Sequence, residues 1–116
     1  MAQTSYEAAV EVVSEISTLC DKLKKYEPKA SDQLFRATTS VSANLAEAKY
    51  AESNADFIHK LEIAQKECFE AETWLQHFYN NGYLKDETFK GLRNKLGRIR
   101  RMIIAAVTTV KKKEKL

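Results

Sequence analysis

The chain of 116 residues carries one proline, three glycines and two cysteines, with 19 basic against 16 acidic side chains and a formal net charge of +3. That length suits one domain spanning residues 1–116 around one core, and the scarcity of turn-forming residues, without strand-like alternation, predicts an all-α protein with room for about four helices. No apolar run approaches the roughly 18 residues of a membrane span and no basic region followed by an apolar run opens the chain, so a soluble, cytoplasmic protein that does not enter a membrane is expected.

The first helix is predicted over about residues 3–25, where Tyr6, Ala9, Val13, Ile16, Cys20 and Leu23 recur at spacings of three and four. Glu27-Pro28 ends it. Proline lacks an amide donor yet suits the first turn of a helix, so Pro28 opens a second helix running to about Tyr50, with Leu34, Thr38, Val41, Leu45 and Ala48 as its seam. Ser53-Asn54-Ala55-Asp56 resembles a capping box with Asp in place of Glu or Gln and starts a third helix. Phe57, Leu61, Ala64, Cys68, Ala71, Leu75 and Phe78 form its seam, and Asn81-Gly82 stops it. Asp86 and Glu87 suit the positive end of a fourth helix with the seam Phe89, Leu92, Leu96, Ile99, Ile103, Ala106 and Val110. Lys111, Lys112 and Lys113 suit its negative end and begin a basic tail. Four long amphipathic segments with short joints predict an antiparallel up-down-up-down four-helix bundle.

Val12, Leu19, Ile58, Phe69, Trp74, Met102, Ile104 and Val107 are apolar but lie off these seams. Either the bundle core is wide, or a second apolar surface serves self-association. Cys20 and Cys68 sit on apolar stripes without metal-ligand spacing, as reduced core thiols would.

Beside the second seam runs a stripe of small or polar residues, Ala37, Ser40, Asn44, Glu47 and Ala51. Small residues allow a close helix approach, while a buried amide or carboxylate needs partners. Ser40, Asn44 and Glu47 are therefore expected in a structural polar network, with Glu70 of the third helix as a candidate member. The run Gln33-Leu34-Phe35-Arg36-Ala37, then Ser40-Val41 and Asn44-Leu45-Ala46-Glu47, resembles the signature of the four-helix-bundle family of 23S rRNA intervening-sequence proteins. Ser53, Asp56-Phe57-Ile58, Leu61, Ala64, Glu70-Ala71-Glu72, Leu75 and Gly82-Tyr83-Leu84 extend the likeness across about residues 28–110. Relatives of that family act as accessory variability proteins of diversity-generating retroelements. The likeness to these accessory proteins implies a homopentameric barrel that binds a reverse transcriptase and nucleic acid; no enzymatic activity is implied, and no cofactor is expected.

Charge is distributed unevenly: residues 85–116 hold 11 basic and 3 acidic side chains, against 8 and 13 in residues 1–84. Such polarity suggests a polyanionic partner such as RNA or DNA, or pairing between subunits. From Thr88 through Lys113 there is no acidic residue, and Lys90, Arg93, Lys95, Arg98, Arg100 and Arg101 spread over the side opposite the apolar seam. With Lys111, Lys112 and Lys113 they form the expected nucleic-acid surface, suited to phosphate contacts that ignore base sequence. The competing reading is a scaffold for protein partners that never meets nucleic acid. No catalytic or metal site is expected: a di-iron bundle needs paired Glu-x-x-His motifs, whereas the chain offers only Asp56-x-x-His59, and His77 follows Trp74 by three residues.

Overall fold

A computed structural model describes residues 2–115. Its elements are α1 (Ser5–Leu23), α2 (Pro28–Ala48), α3 (Asn54–Asn80) and α4 (Asp86–Glu114). α1 touches α2 and α4, while α3 touches α2 and α4; among the described residues no diagonal pair meets. Short joints between such neighbours make an antiparallel up-down-up-down four-helix bundle, 51 Å long and 24 × 23 Å across. The α2–α3 seam is the most extensive of the four and the α1–α4 seam the least.

Local chemistry sets the ends of the helices. The Glu7 amide donates to Thr4 Oγ1 at 3.1 Å and the Thr4 amide to Glu7 Oε1 at 2.9 Å, a complete capping box on α1. Those bonds hold the Glu7 carboxyl below its usual range. Pro28 occupies the first turn of α2 as expected. At Ser53 the box is half-made: the Asp56 amide donates to Ser53 Oγ at 3.1 Å, but the Asp56 carboxylate accepts from Glu52 rather than from Ser53. Asp is one methylene shorter than the Glu of a full box. α3 ends in a Schellman motif around Gly82, at φ +82°, where Tyr83 N–H donates to Phe78 O at 2.9 Å and Gly82 N–H to Tyr79 O at 3.1 Å.

The core answers the question of the off-seam apolar residues. Val12, Ile58 and Val107 are buried, and Leu19 and Trp74 pack against the core from partly buried positions, so a wide core absorbs most of them. Val12, not Val13, carries the α1 stripe, because α1 turns Ala8, Ala9, Val12 and Ile16 inward between two neighbours. Phe69, 62% exposed, and Ile104, 38% exposed, stay on the surface.

Polar atoms inside are satisfied locally. Ser31 Oγ donates to Cys20 O at 3.1 Å and Cys20 Sγ to Ser31 O at 3.5 Å, a reciprocal tie between α1 and α2. Cys68 Sγ donates to Leu96 O at 3.1 Å across the α3–α4 seam, and Thr38 Oγ1 turns back on Leu34 O at 2.8 Å. Both cysteines are free and buried. Burial pushes the Cys68 thiol up to about 12.

Candidate nucleic-acid interface

α4 buries Phe89, Leu92, Leu96, Ile99, Ile103 and Val107 against the core, which leaves its charged residues on the flanks and the outer ridge. The expected basic residues separate into two sets according to what they touch. On the α3 flank, the half-buried Arg100 grips Glu72 with both Nε (2.8 Å) and a terminal nitrogen (3.3 Å), and the Glu72 side chain is only 14% exposed. These bonds raise Arg100 above its ordinary value. Lower on the same flank Lys111 Nζ lies 3.6 Å from a Glu62 carboxylate oxygen. On the α1 flank Lys95 Nζ donates to Glu15 Oε1 at 2.5 Å. Lys95, Arg100 and Lys111 therefore act as staples between helices, and Arg100 does not lie on the open face that its position in the sequence suggested.

The second set faces outward. Lys90, Arg98, Arg101 and Lys112 are exposed, and with Asn94, Ala105 and Thr108 they follow one another at spacings of three and four along a single ridge. Arg98 donates to the neutral Gln3 Oε1 at 3.1 Å, which leaves its charge uncompensated there. Arg93 leans over the Phe89 ring, 4.9 Å from its centroid. Lys113 is exposed beside Lys112. Among the described residues the acidic side chains of α4 are confined to its two ends, at Asp86, Glu87 and Glu114.

The expected polar network on α2 takes another form. Asn44 is half-buried and donates Nδ2 to Ser40 O at 2.9 Å and to Ser40 Oγ at 3.2 Å, a bond pair confined to its own helix. Glu47 is not inside: its side chain is 59% exposed and lies 3.7 Å from Lys60 Nζ on α3. Glu70 joins neither, because Arg36 claims it at 2.5 Å together with Glu67 at 2.7 Å. The Arg36 guanidinium holds the Glu70 carboxyl below its usual range. The physical reason is reach: Arg36 spans the α2–α3 seam, and Glu67 and Glu70 stand one turn apart on α3 to receive its fork. Of that stripe only Ala37 is wholly buried, while Ser40, Asn44 and Ala51 are half-buried.

His77 is partly exposed, and its Nε2 sits 2.9 Å from Glu27 Oε1 at the α1–α2 joint, with Trp74 packed edge-on against its ring. No sequence pattern announced this pair, whose members are fifty residues apart. His59 is exposed. Among the described residues no three His, Cys, Asp or Glu side chains gather as metal ligands, and no helix is long and apolar enough to cross a membrane.

Comparison with known proteins places this architecture. A crystal structure from Bacteroides thetaiotaomicron VPI-5482, described as a protein with unknown function from the S23 ribosomal protein family, is similar with a TM-score of 0.84 and 34% sequence identity, over 90% of this chain and 98% of that one. A comparison with curated proteins finds no match. The family model described as 23S rRNA-intervening sequence protein matches residues 2–105, and the chain belongs to that family.

Proposed function

We propose that the protein is a nonenzymatic, self-associating accessory protein of the cytoplasm that binds RNA or DNA through the outer ridge of α4. The observation that carries this reading is the absence of any acidic residue from Thr88 to Lys113, with Lys90, Arg98, Arg101 and Lys112 exposed along one line. Arginine and lysine without interleaved aromatics suit phosphate contacts better than base stacking. Self-association draws support from the exposed apolar Phe69 and Ile104 on α3 and α4, and its pentameric form and a reverse transcriptase partner rest on the family resemblance. A ring of α4 ridges would bind a polyanion more tightly than one ridge, because later contacts become intramolecular.

The test combines light scattering with binding to RNA and DNA across a salt series. An oligomer whose affinity falls with a log–log slope near −4.5, for about five phosphates on duplex DNA, is expected, and Arg98→Glu with Arg101→Glu lowers both slope and affinity while keeping oligomer mass. A monomer at all concentrations refutes self-association; affinity that survives the reversals refutes the ridge. A second reading, a protein scaffold without nucleic-acid binding, is favoured by the pairing of Lys95, Arg100 and Lys111 to carboxylates of the same chain. It gains if no nucleic acid binds at low salt.

A further inference from the structure

The cations on the ridge of α4 are not continuous. Arg98 and Arg101 form an upper cluster, with Lys90 eight positions nearer the start of α4, and Lys112 and Lys113 form a lower one, while residues 102–110, Met-Ile-Ile-Ala-Ala-Val-Thr-Thr-Val, carry no charge at all. The break is not caused by burial. Ala105, Thr108 and Thr109 lie within it and are exposed, like the cations on either side, so the chain places short neutral side chains at positions open to solvent. Arg101 and Lys112, the last and first ridge cations across the break, are eleven positions apart, about 16 Å at the helical rise of 1.5 Å per residue. The staples do not bridge the gap either: Arg100 and Lys111 turn aside to Glu72 and Glu62 at its two borders.

Such spacing discriminates between polyanions. A phosphate track followed along one strand presents a charge every few ångström, about 3.4 Å per strand measured along a duplex axis, and would leave several phosphates facing the uncharged stretch. A duplex instead offers two phosphate rows separated by a groove, about 12 Å wide for the major groove of B-DNA, with no phosphate over the opening. Two cationic clusters about 16 Å apart, joined by a slim neutral segment, match two rows and a gap. Resting on the nucleic-acid reading above, we infer that the ligand class is double-stranded, with α4 lying across a groove: the Arg98–Arg101 cluster meets one backbone, the Lys112–Lys113 cluster meets the other, and Ala105 and Thr108 face the groove between them. The side chains at the crossing are short, so the ridge can approach without inserting a base-reading group, and recognition is by shape.

The test measures affinity of the full chain for a DNA duplex of about two helical turns, an RNA duplex of the same length, and the corresponding single strands, by fluorescence anisotropy over a salt series, with oligomer mass followed for every variant. Duplexes are expected to bind at least tenfold tighter than single strands. Arg98→Ala with Arg101→Ala, and separately Lys112→Ala with Lys113→Ala, each bring that ratio close to one, because either cluster alone holds a single backbone; the salt slope on duplex DNA falls by about 1.8 in each case. Ala105→Lys, at an exposed position in the gap, raises single-strand affinity and leaves duplex affinity unchanged. All variants sit on exposed positions, and retained helicity and mass show that they fold. Equal affinity for single and double strands, or a duplex preference that survives loss of one cluster, overturns the crossing while leaving nucleic-acid binding intact. Absence of binding to every probe at low salt instead removes the underlying reading, and a change of oligomer mass in the ridge variants reassigns the ridge to contact between copies. A preference for the RNA duplex over the DNA duplex identifies A-form geometry as the shape recognised.

Discussion

Arg100 tests the division between staples and ridge most directly, because it is the expected phosphate ligand that the fold turns inward. Arg100→Ala removes a two-pronged bond to Glu72, whose side chain is 14% exposed, and leaves that carboxylate without its guanidinium. Exposed ion pairs are worth at most about 1 kcal/mol, and breaking a fully buried one costs about 3 to 5 kcal/mol. With the Arg100 side chain 32% exposed the loss belongs between those limits, at about 2 kcal/mol. Unfolding entropy of about 2.1 cal/mol/K per residue gives about 0.24 kcal/mol/K for this chain, so Tm should fall by about 8 °C. Thermal and urea denaturation measure the loss, and a double-mutant cycle with Glu72→Gln isolates the pair, for which about 1 to 1.5 kcal/mol of coupling is expected. The duplex salt slope should not move. A destabilisation below about 0.5 kcal/mol together with a slope reduced by about 0.9 would refute the reasoning and return Arg100 to the phosphate-binding set.

The remaining predictions read other parts of the fold. Gly82→Ala should destabilise by about 1 kcal/mol through its φ of +82° alone, since nothing lies within 4 Å of an added Cβ, whereas Gly91→Ala, equally open but within α4, should stabilise by up to about 1 kcal/mol; chemical denaturation distinguishes the signs. The raised Cys68 thiol makes a pH prediction: below about 9 both folded and unfolded chains hold that proton, but between about 9 and 12 the unfolded chain releases it first, so stability falls as pH rises through that window. Cys68→Ala should flatten that part of the profile, and an unchanged slope would show that another group controls it. Asn44→Leu should change the stability of the isolated bundle by less than about 1 kcal/mol, because its hydrogen bonds stay within α2 at a half-buried site; a larger effect confined to oligomer mass would place Asn44 at a contact between copies.

Helix number, order and approximate ends were legible because they rest on local chemistry: Pro28 at a helix start, Gly82 at a helix end, and three-four spacing of apolar residues between them. The Thr4-Ser5-Tyr6-Glu7 capping box was equally readable, and a search for Thr followed three residues later by Glu would have fixed the start of α1. What a helix does with a polar residue near its seam was not legible. Glu47 and Glu70 differ little in local context, yet one is open to solvent beside Lys60 and the other is held by Arg36, because only the α2–α3 register decides which cation arrives. The same limit applies to α4, where one-sided charge marked the helix as basic but could not divide stapling cations from outward ones. That division depends on Glu15, Glu62 and Glu72, which belong to other helices.

The sparse seam between α1 and α4 joins the two ends of the chain, whereas the other three seams join helices adjacent in sequence. It is the seam most distant in sequence, and the bonds beside it, Lys95 to Glu15 and Arg98 to Gln3 just ahead of α1, are exposed and worth little. Helices α2, α3 and α4 can assemble through short joints before α1 docks, and α1 can leave again without opening the α2–α3 or α3–α4 seams. The amides of α1 should therefore exchange through a sub-global opening of lower free energy than those of α3, making the first helix the cooperative unit that detaches first.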